Sequence, residues 1–150
     1  MTDPLSVTAS VLAVITAAVQ STQSLYKTVQ RFKDRNKTLQ RLEEELGDLI
    51  KILNSLAQVI SDETSVLEIL ERPIGRCSEV CHEFKQSMDV FGGKSKTGIR
   101  DWTKMEFMRG NVNDFIDTIA GYKSTISVGL GTITMLVTIP ALLQTQLTIH

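Results

Sequence analysis

The chain has 150 residues, of which 42% are hydrophobic and 22% are charged, and its formal net charge at pH 7 is −1. This length fits a single domain with a core of its own. The balanced charge argues against a partner recognised by overall charge, such as nucleic acid, and two cysteines exclude a disulfide framework.

The first predicted helix, Pro4 to Leu25, contains no charged residue. Asp3 caps the free amides and Pro4 fits the first helical position, which together predict a helix start. As a helix this stretch is about 33 Å long, enough to cross a hydrocarbon core of about 30 Å. Asp3 also stands where a secretory signal has basic residues, so we expect a cytoplasmic protein.

The two faces of this helix differ in side-chain size, at about 100° per residue. The large apolar side chains, which we predict to insert into a membrane, are Leu5, Val7, Val11, Leu12, Val14, Ile15 and Val19. The other face has Ala9, Ala13 and Ala17 at every fourth position, a spacing that lets two helix backbones approach closely. Either the helix enters a bilayer with copies of itself, or it is an ordinary core helix.

A basic cluster follows directly. It consists of Lys27, Arg31, Lys33, Arg35, Lys37 and Arg41, opposed over that stretch only by Asp34. Anionic lipid headgroups attract such a cluster by about 1 kcal/mol per charge. The alternative is a solvated helix face with charge pairs such as Arg41–Glu45.

Two further helices are predicted from apolar residues that recur every three or four positions. The second helix has a single seam formed by Leu39, Leu42, Leu46, Leu49, Leu53, Leu56 and Ile60. The third helix has a stripe formed by Val66, Leu70, Ile74, Cys77, Cys81, Phe84, Met88 and Phe91. Pro73 predicts a kink or a restart in the third helix, because proline lacks an amide donor.

A loop at Gly92–Gly98 precedes the last helical pattern. That pattern runs through Trp102, Met105, Val112, Phe115, Ile119, Tyr122 and Ile126. Residues 124–149 again lack charge, and their length would allow a transmembrane segment. Two glycines and Pro140 favour instead a core helix that ends near Leu130, followed by an extension.

These elements predict an all-α fold, a four- to five-helix bundle with an apolar N-terminal helix. The expected domain is the bundle at residues 1–128, with an uncharged C-terminal extension at residues 129–150.

No catalytic or metal site is predicted. Cys77, Cys81 and His82 lie close together, but a closed zinc site needs four ligands and the only other histidine is His150. Gly93-Lys94-Ser95 resembles the end of a phosphate-binding loop, but Met88 stands where that loop needs a glycine. We therefore expect no enzyme activity, no cofactor and no metal.

The order of these elements resembles the fungal N-terminal HeLo-like domain family. The resemblance rests on the opening MTDPLSVTASVLAVITAA, the Leu39–Ile60 seam, and Trp102 followed by the GYKSTIS segment at residues 121–127. It covers about residues 1–128, and the chain departs from the family pattern after Ile126. Members of this family stand at the N-terminus of fungal NLR-like (STAND) receptors and related cell-death proteins, and they look like the helical bundle of the necroptosis executioner pseudokinase.

The resemblance implies a pore-forming effector of regulated necrosis, of the kind that acts in heterokaryon incompatibility. Such a domain oligomerises, relocates from the cytoplasm to the plasma membrane and inserts its N-terminal helix, here Pro4 to Val19. The implied partners are an anionic lipid membrane, further copies of the chain, and other HeLo-like or NLR-like proteins. The alternative function is a soluble helical adaptor that regulates NLR-like proteins through the same bundle surfaces.

Overall fold

The computed structural model describes the backbone of residues 4–31, 37–59, 64–92 and 109–149, and the burial of side chains at 9–31, 37–59, 68–89 and 112–136. Four helices account for nearly all of these residues: α1 Pro4–Gln30, α2 Lys37–Val59, α3 Thr64–Gly92 and α4 Arg109–Ile149. The described ranges contain no strand. The predicted all-α bundle is confirmed.

Viewed along the bundle axis, the four helices occupy the corners of a square in the order α1, α2, α4, α3. Both α1 and α4 pack against α2 and α3, whereas α1 does not contact α4 and α2 does not contact α3 within the described residues. Helices α2 and α3, which are consecutive in the chain, therefore lie at opposite corners of the bundle.

Residue contacts give the direction of each helix. Along α1, Ser10 meets Glu71 and Ser21 meets Ser78, so α1 and α3 run parallel. Along α4, Phe115 stacks on Phe84 and Gly129 meets Leu70, so α4 runs antiparallel to α3. The starts of α1 and α3 therefore lie at the same end of the bundle as the end of α4.

The predicted seams form the core. The seam residues that the structure describes in α2 are completely buried: Leu39, Leu42, Leu46, Leu49, Leu53 and Leu56. The stripes of α3 and α4 belong to the same buried cluster and contribute Leu70, Ile74, Cys77, Cys81, Met88, Val112, Phe115, Ile119 and Ile126. The alternation of three- and four-residue steps keeps each row on one helix face, which explains why the predictions are confirmed for these residues. Phe84 and Tyr122 are partly buried, and the side chains of Ile60, Val66 and Phe91 lie outside those that the structure describes.

Helix α3 continues through Pro73 without a restart. Proline inside a helix costs about 3 kcal/mol. The neighbouring turns are held by the buried side chains of Leu70, Ile74 and Cys77, and this packing outweighs the lost hydrogen bond.

The predicted end of the last helix near Leu130 is wrong, because α4 continues to Ile149. Gly129 is packed against Leu70, and Ile133 is completely buried, so the glycine serves close packing and does not end the helix. The loop at residues 93–98 and the predicted helical residues Trp102 and Met105 lie outside the described residues.

Candidate membrane-binding surface

The outer face of α1 is uncharged from Ala9 to Gln20 and faces solvent. Ala9, Ala13 and Ala17 are all exposed, together with Thr16 and Gln20. The small-residue face therefore does not pack inside the bundle. It is available for contact with another helix.

The inner face of α1 belongs to the bundle core. Among the predicted membrane-inserting residues, Val11 and Ile15 are buried, and Val14 and Val19 are partly buried against the core. Leu12 differs from the others because it is exposed on the outer side. Leu5 and Val7 lie outside the side chains that the structure describes. Val11 and Ile15 reach lipid only if α1 leaves the bundle.

Hydroxyl groups line the contact between α1 and α3. The Ser21 and Ser78 hydroxyls share a hydrogen bond of 3.0 Å, and Ser10 donates to the Glu71 carboxylate at 3.1 Å. The Thr22 hydroxyl donates to the Ala18 carbonyl of its own helix at 2.6 Å. The sequence did not predict these contacts, since a hydroxyl in an apolar helix does not reveal which helix it faces.

The two cysteines lie beneath α1. Cys77 and Cys81 are free and completely buried, and the Thr22 hydroxyl lies 3.8 Å from the Cys81 sulfur. The hydrogen bond with Cys81 and the burial of the thiol raise the pKa of Cys77 well above its usual range. Within the described residues no group of three side chains is arranged to bind a metal ion. Both cysteines are therefore core residues, and the thiol of Cys77 is protonated.

The basic cluster lies where α1 ends and α2 begins, at the end of the bundle opposite the start of α1. Lys27, Arg31, Lys37 and Arg41 are exposed, while Lys33 and Arg35 lie outside the described residues. The alternative Arg41–Glu45 pair does not form, because Glu45 binds Lys123 of α4 at 2.9 Å. No described residue forms an ion pair with the four exposed cations.

Lys123 joins α4 to α2. Its ammonium group lies 2.9 Å from Glu45 and 3.5 Å from Asp48, and the adjacent Glu45 carboxylate is the main cause of its raised pKa. Lys51 and Ser127 complete the shallow groove at this contact. The two carboxylates neutralise the charge of Lys123. These ion pairs therefore join α2 to α4, and Lys123 is not available to bind an anionic ligand in the groove.

The structure contains no helix, over the part of the chain that it describes, with the length and apolar character needed to cross a membrane.

A family model described as pigment biosynthesis cluster protein PigL N-terminal matches residues 2–146. The match extends well beyond residue 128. It includes most of the uncharged stretch at residues 129–150, which the sequence analysis predicts to be an extension of the bundle. No curated protein matches the chain, and no solved structure does.

Proposed function

The chain belongs to the family of PigL N-terminal domains, and on that premise we propose that it is a membrane-targeting cell-death effector. In this proposal α1 leaves the bundle, inserts into an anionic plasma membrane and assembles with other copies into a pore. The HeLo-like resemblance of residues 1–128 supports this function.

One observation carries the proposal: α1 has no charged side chain on either face from Pro4 to Leu25. By contrast, the outer face of α2 presents Arg41, Glu44 and Lys51 to solvent. Each charge carried to the centre of a bilayer costs about 2.5–3.5 kcal/mol on insertion scales. Helix α1 incurs none of that cost over these residues. Residues 124–149 of α4 are uncharged too, but they contain two glycines and Pro140, whereas α1 has no glycine and no internal proline, so we assign the exchange of bundle for lipid to α1.

Burial keeps α1 in the bundle while no membrane is present. Val11, Ile15, Leu25 and Val29 are buried, and burial of each such side chain contributes about 1.5–3 kcal/mol. A bilayer offers these side chains an apolar environment too, so their transfer from core to lipid is close to balanced. Departure of α1 also uncovers the apolar faces of α2 and α3, which favours association between copies.

The small-residue face and the basic cluster have separate roles in the inserted state. Ala9, Ala13 and Ala17 would bring the α1 backbones of neighbouring copies together. The exposed cations from Lys27 to Arg41 follow the uncharged stretch Pro4 to Leu25, and they would bind anionic headgroups once that stretch has entered the membrane.

A reversible lock on α1 tests the proposal. The Ser21 and Ser78 hydroxyl oxygens are 3.0 Å apart, so Ser21→Cys combined with Ser78→Cys should allow a disulfide between α1 and α3. The oxidised protein should not release dye from vesicles that contain phosphatidylserine, and reduction should restore release. Ser78→Cys alone, treated with the same oxidant, is the matched control. Peptide mapping establishes that residues 21 and 78 are joined.

Two results would contradict the proposal. Dye release by the locked protein equal to that of the reduced protein would show that α1 need not leave α3. A reduced or wild-type protein that binds other helical domains but never permeabilises vesicles would favour the soluble adaptor function.

A further inference from the structure

Three of the four helices are free of charge at one end of the bundle. Helix α2 runs antiparallel to α1, because Tyr26 near the end of α1 donates to Glu43 near the start of α2. This charge-free end therefore comprises the start of α1, residues 52–59 of α2 and residues 124–149 of α4. Helix α3 begins at the same end and carries the charges there, Glu68, Glu71 and Arg72. The basic cluster Lys27–Arg41 lies at the other end.

Exposed apolar side chains gather at the charge-free end. The large hydrophobic residues that the structure shows exposed are Leu12 (43%), Ile69 (72%), Val128 (69%), Met135 (60%) and Leu136 (41%). Leu12, Ile69, Met135 and Leu136 lie in the halves of α1, α3 and α4 nearest to this end. Val128 lies at the middle of α4, next to the glycine that contacts Leu70. In the rest of the described chain no large hydrophobic side chain is exposed to this degree. Such clustering marks an interaction surface, whereas isolated exposed residues do not.

Helix α4 also projects beyond its neighbour at this end. Gly129 lies beside Leu70, about 30 Å of α4 follows Gly129, and about 9 Å of α3 precedes Leu70. The last part of α4 therefore extends about 20 Å past the start of α3.

We propose that the charge-free end is the surface with which the intact bundle lands on a lipid bilayer, before α1 leaves. The end of α4 lies in the membrane interface, where apolar side chains are buried to a shallow depth. This inference rests on the proposed membrane function and adds to it, because it assigns the first contact to α4 and not to α1 or to the basic cluster.

The charges around this end favour lipid over a second copy of the chain. Lys51, Arg72 and Arg76 are exposed at its border, and none of them forms an ion pair with a described residue. Cations beside an uncharged apolar surface complement anionic headgroups above hydrocarbon. A second copy would present the same border cations, and like charges would then face each other. Glu68 lies one turn from Arg72 on the same face of α3, and Glu71 accepts a hydrogen bond from Ser10 of α1.

Landing in this orientation places the start of α1 at the membrane. Helix α1 begins at the charge-free end, so its N-terminus would enter first and the basic cluster would reach the headgroups last. The two lipid contacts therefore occur in sequence.

An environment-sensitive fluorophore locates the landing surface. Val128→Cys and Met135→Cys, each labelled with a nitrobenzoxadiazole probe in the full chain, should shift to the blue on vesicles of phosphatidylserine and phosphatidylcholine. Asn113→Cys, exposed near the start of α4, should not shift. The native thiols do not compete for the label, because both are buried. In unlabelled protein, Val128→Glu with Met135→Glu should weaken vesicle binding about tenfold or more, while Asn113→Glu should not.

The locked protein separates this inference from the proposed function. Oxidised Ser21→Cys/Ser78→Cys protein should still bind vesicles, and its probe at residue 128 should still shift, although it releases no dye. Loss of binding on locking would overturn landing through α4 while leaving insertion of α1 intact. A blue shift that appears without lipid and grows with protein concentration would overturn it too, by showing that a second copy covers this surface. A wild-type chain that neither binds nor permeabilises vesicles would overturn both.

Discussion

Gly129 determines how closely α4 approaches α3. A Cβ atom at residue 129 would lie 2.5 Å from Cδ2 and 2.7 Å from Cδ1 of Leu70, closer than carbon atoms can approach without a shift. Leu70 is itself buried in the core, so its side chain has little space to move. Gly131, two residues later, has no atom within 4 Å of the corresponding position. The pair therefore allows a matched comparison of Gly129→Ala with Gly131→Ala.

The two substitutions should change stability in opposite directions. Alanine favours a helix over glycine by about 0.8–1.0 kcal/mol, and Gly131→Ala should gain up to that amount. Gly129→Ala gains the same helix propensity but overpacks the Leu70 contact, which costs about 1–3 kcal/mol. The alanine at 129 should therefore leave the protein less stable than the alanine at 131 by about 1–3 kcal/mol, or by about 2–12 °C in melting temperature for a domain of this size.

Thermal unfolding followed by circular dichroism measures this difference. Combining Gly129→Ala with Leu70→Val should recover part of the loss, because valine removes part of the side chain that clashes. Equal melting temperatures for the two alanine variants would refute the close α3–α4 contact. The result would also favour the separate extension at residues 129–150 that the sequence predicts.

Three predictions concern α1 and the basic cluster. Ala13→Leu on the exposed face should change unfolding free energy by about 0.5 kcal/mol or less and preserve vesicle sedimentation, but abolish dye release and chemically cross-linked oligomers. Leu12→Asp should stay folded and stop insertion, whereas Ile15→Asp should lose more than about 3 kcal/mol of stability in a denaturant titration. Charge reversal at Lys27 and Arg31 should reduce the salt dependence of dye release; an unchanged salt dependence would show that these cations do not meet headgroups.

The sequence predicted the core well because the core depends on spacing along single helices. The leucine seam of α2 lies on one helix face. Its spacing alone therefore identifies the six described leucines as the buried face, without knowledge of which helices cover it. Leu12 shows where this reasoning stops. It lies at the edge of the apolar half of α1, and only the positions of α2 and α3 determine that Leu12 is exposed while Ile15 is buried.

Features that join separate helices were not predictable. To predict the charge-free end, one needs the direction of each helix and its position along the bundle axis. The sequence gives neither. Glu45 was predicted on a solvent face, yet it pairs with Lys123 because α4 lies beside α2. The glycines of α4 suggested a helix end, since glycine is a poor helix former. Its packing role at residue 129 depends on Leu70, which is distant in the chain.

The burial of both cysteines beneath α1 yields a further prediction that needs no substitution. In solution Cys77 and Cys81 should react slowly with iodoacetamide, because both thiols are buried and the thiolate is the reactive form. The raised pKa of Cys77 keeps its thiol protonated at neutral pH. If α1 leaves α3 on anionic vesicles, the Thr22 contact is lost and alkylation, measured by mass spectrometry, should accelerate together with dye release. Neutral vesicles, which should not release α1, are the control. Dye release while both thiols stay protected would show that the pore forms with α1 still docked.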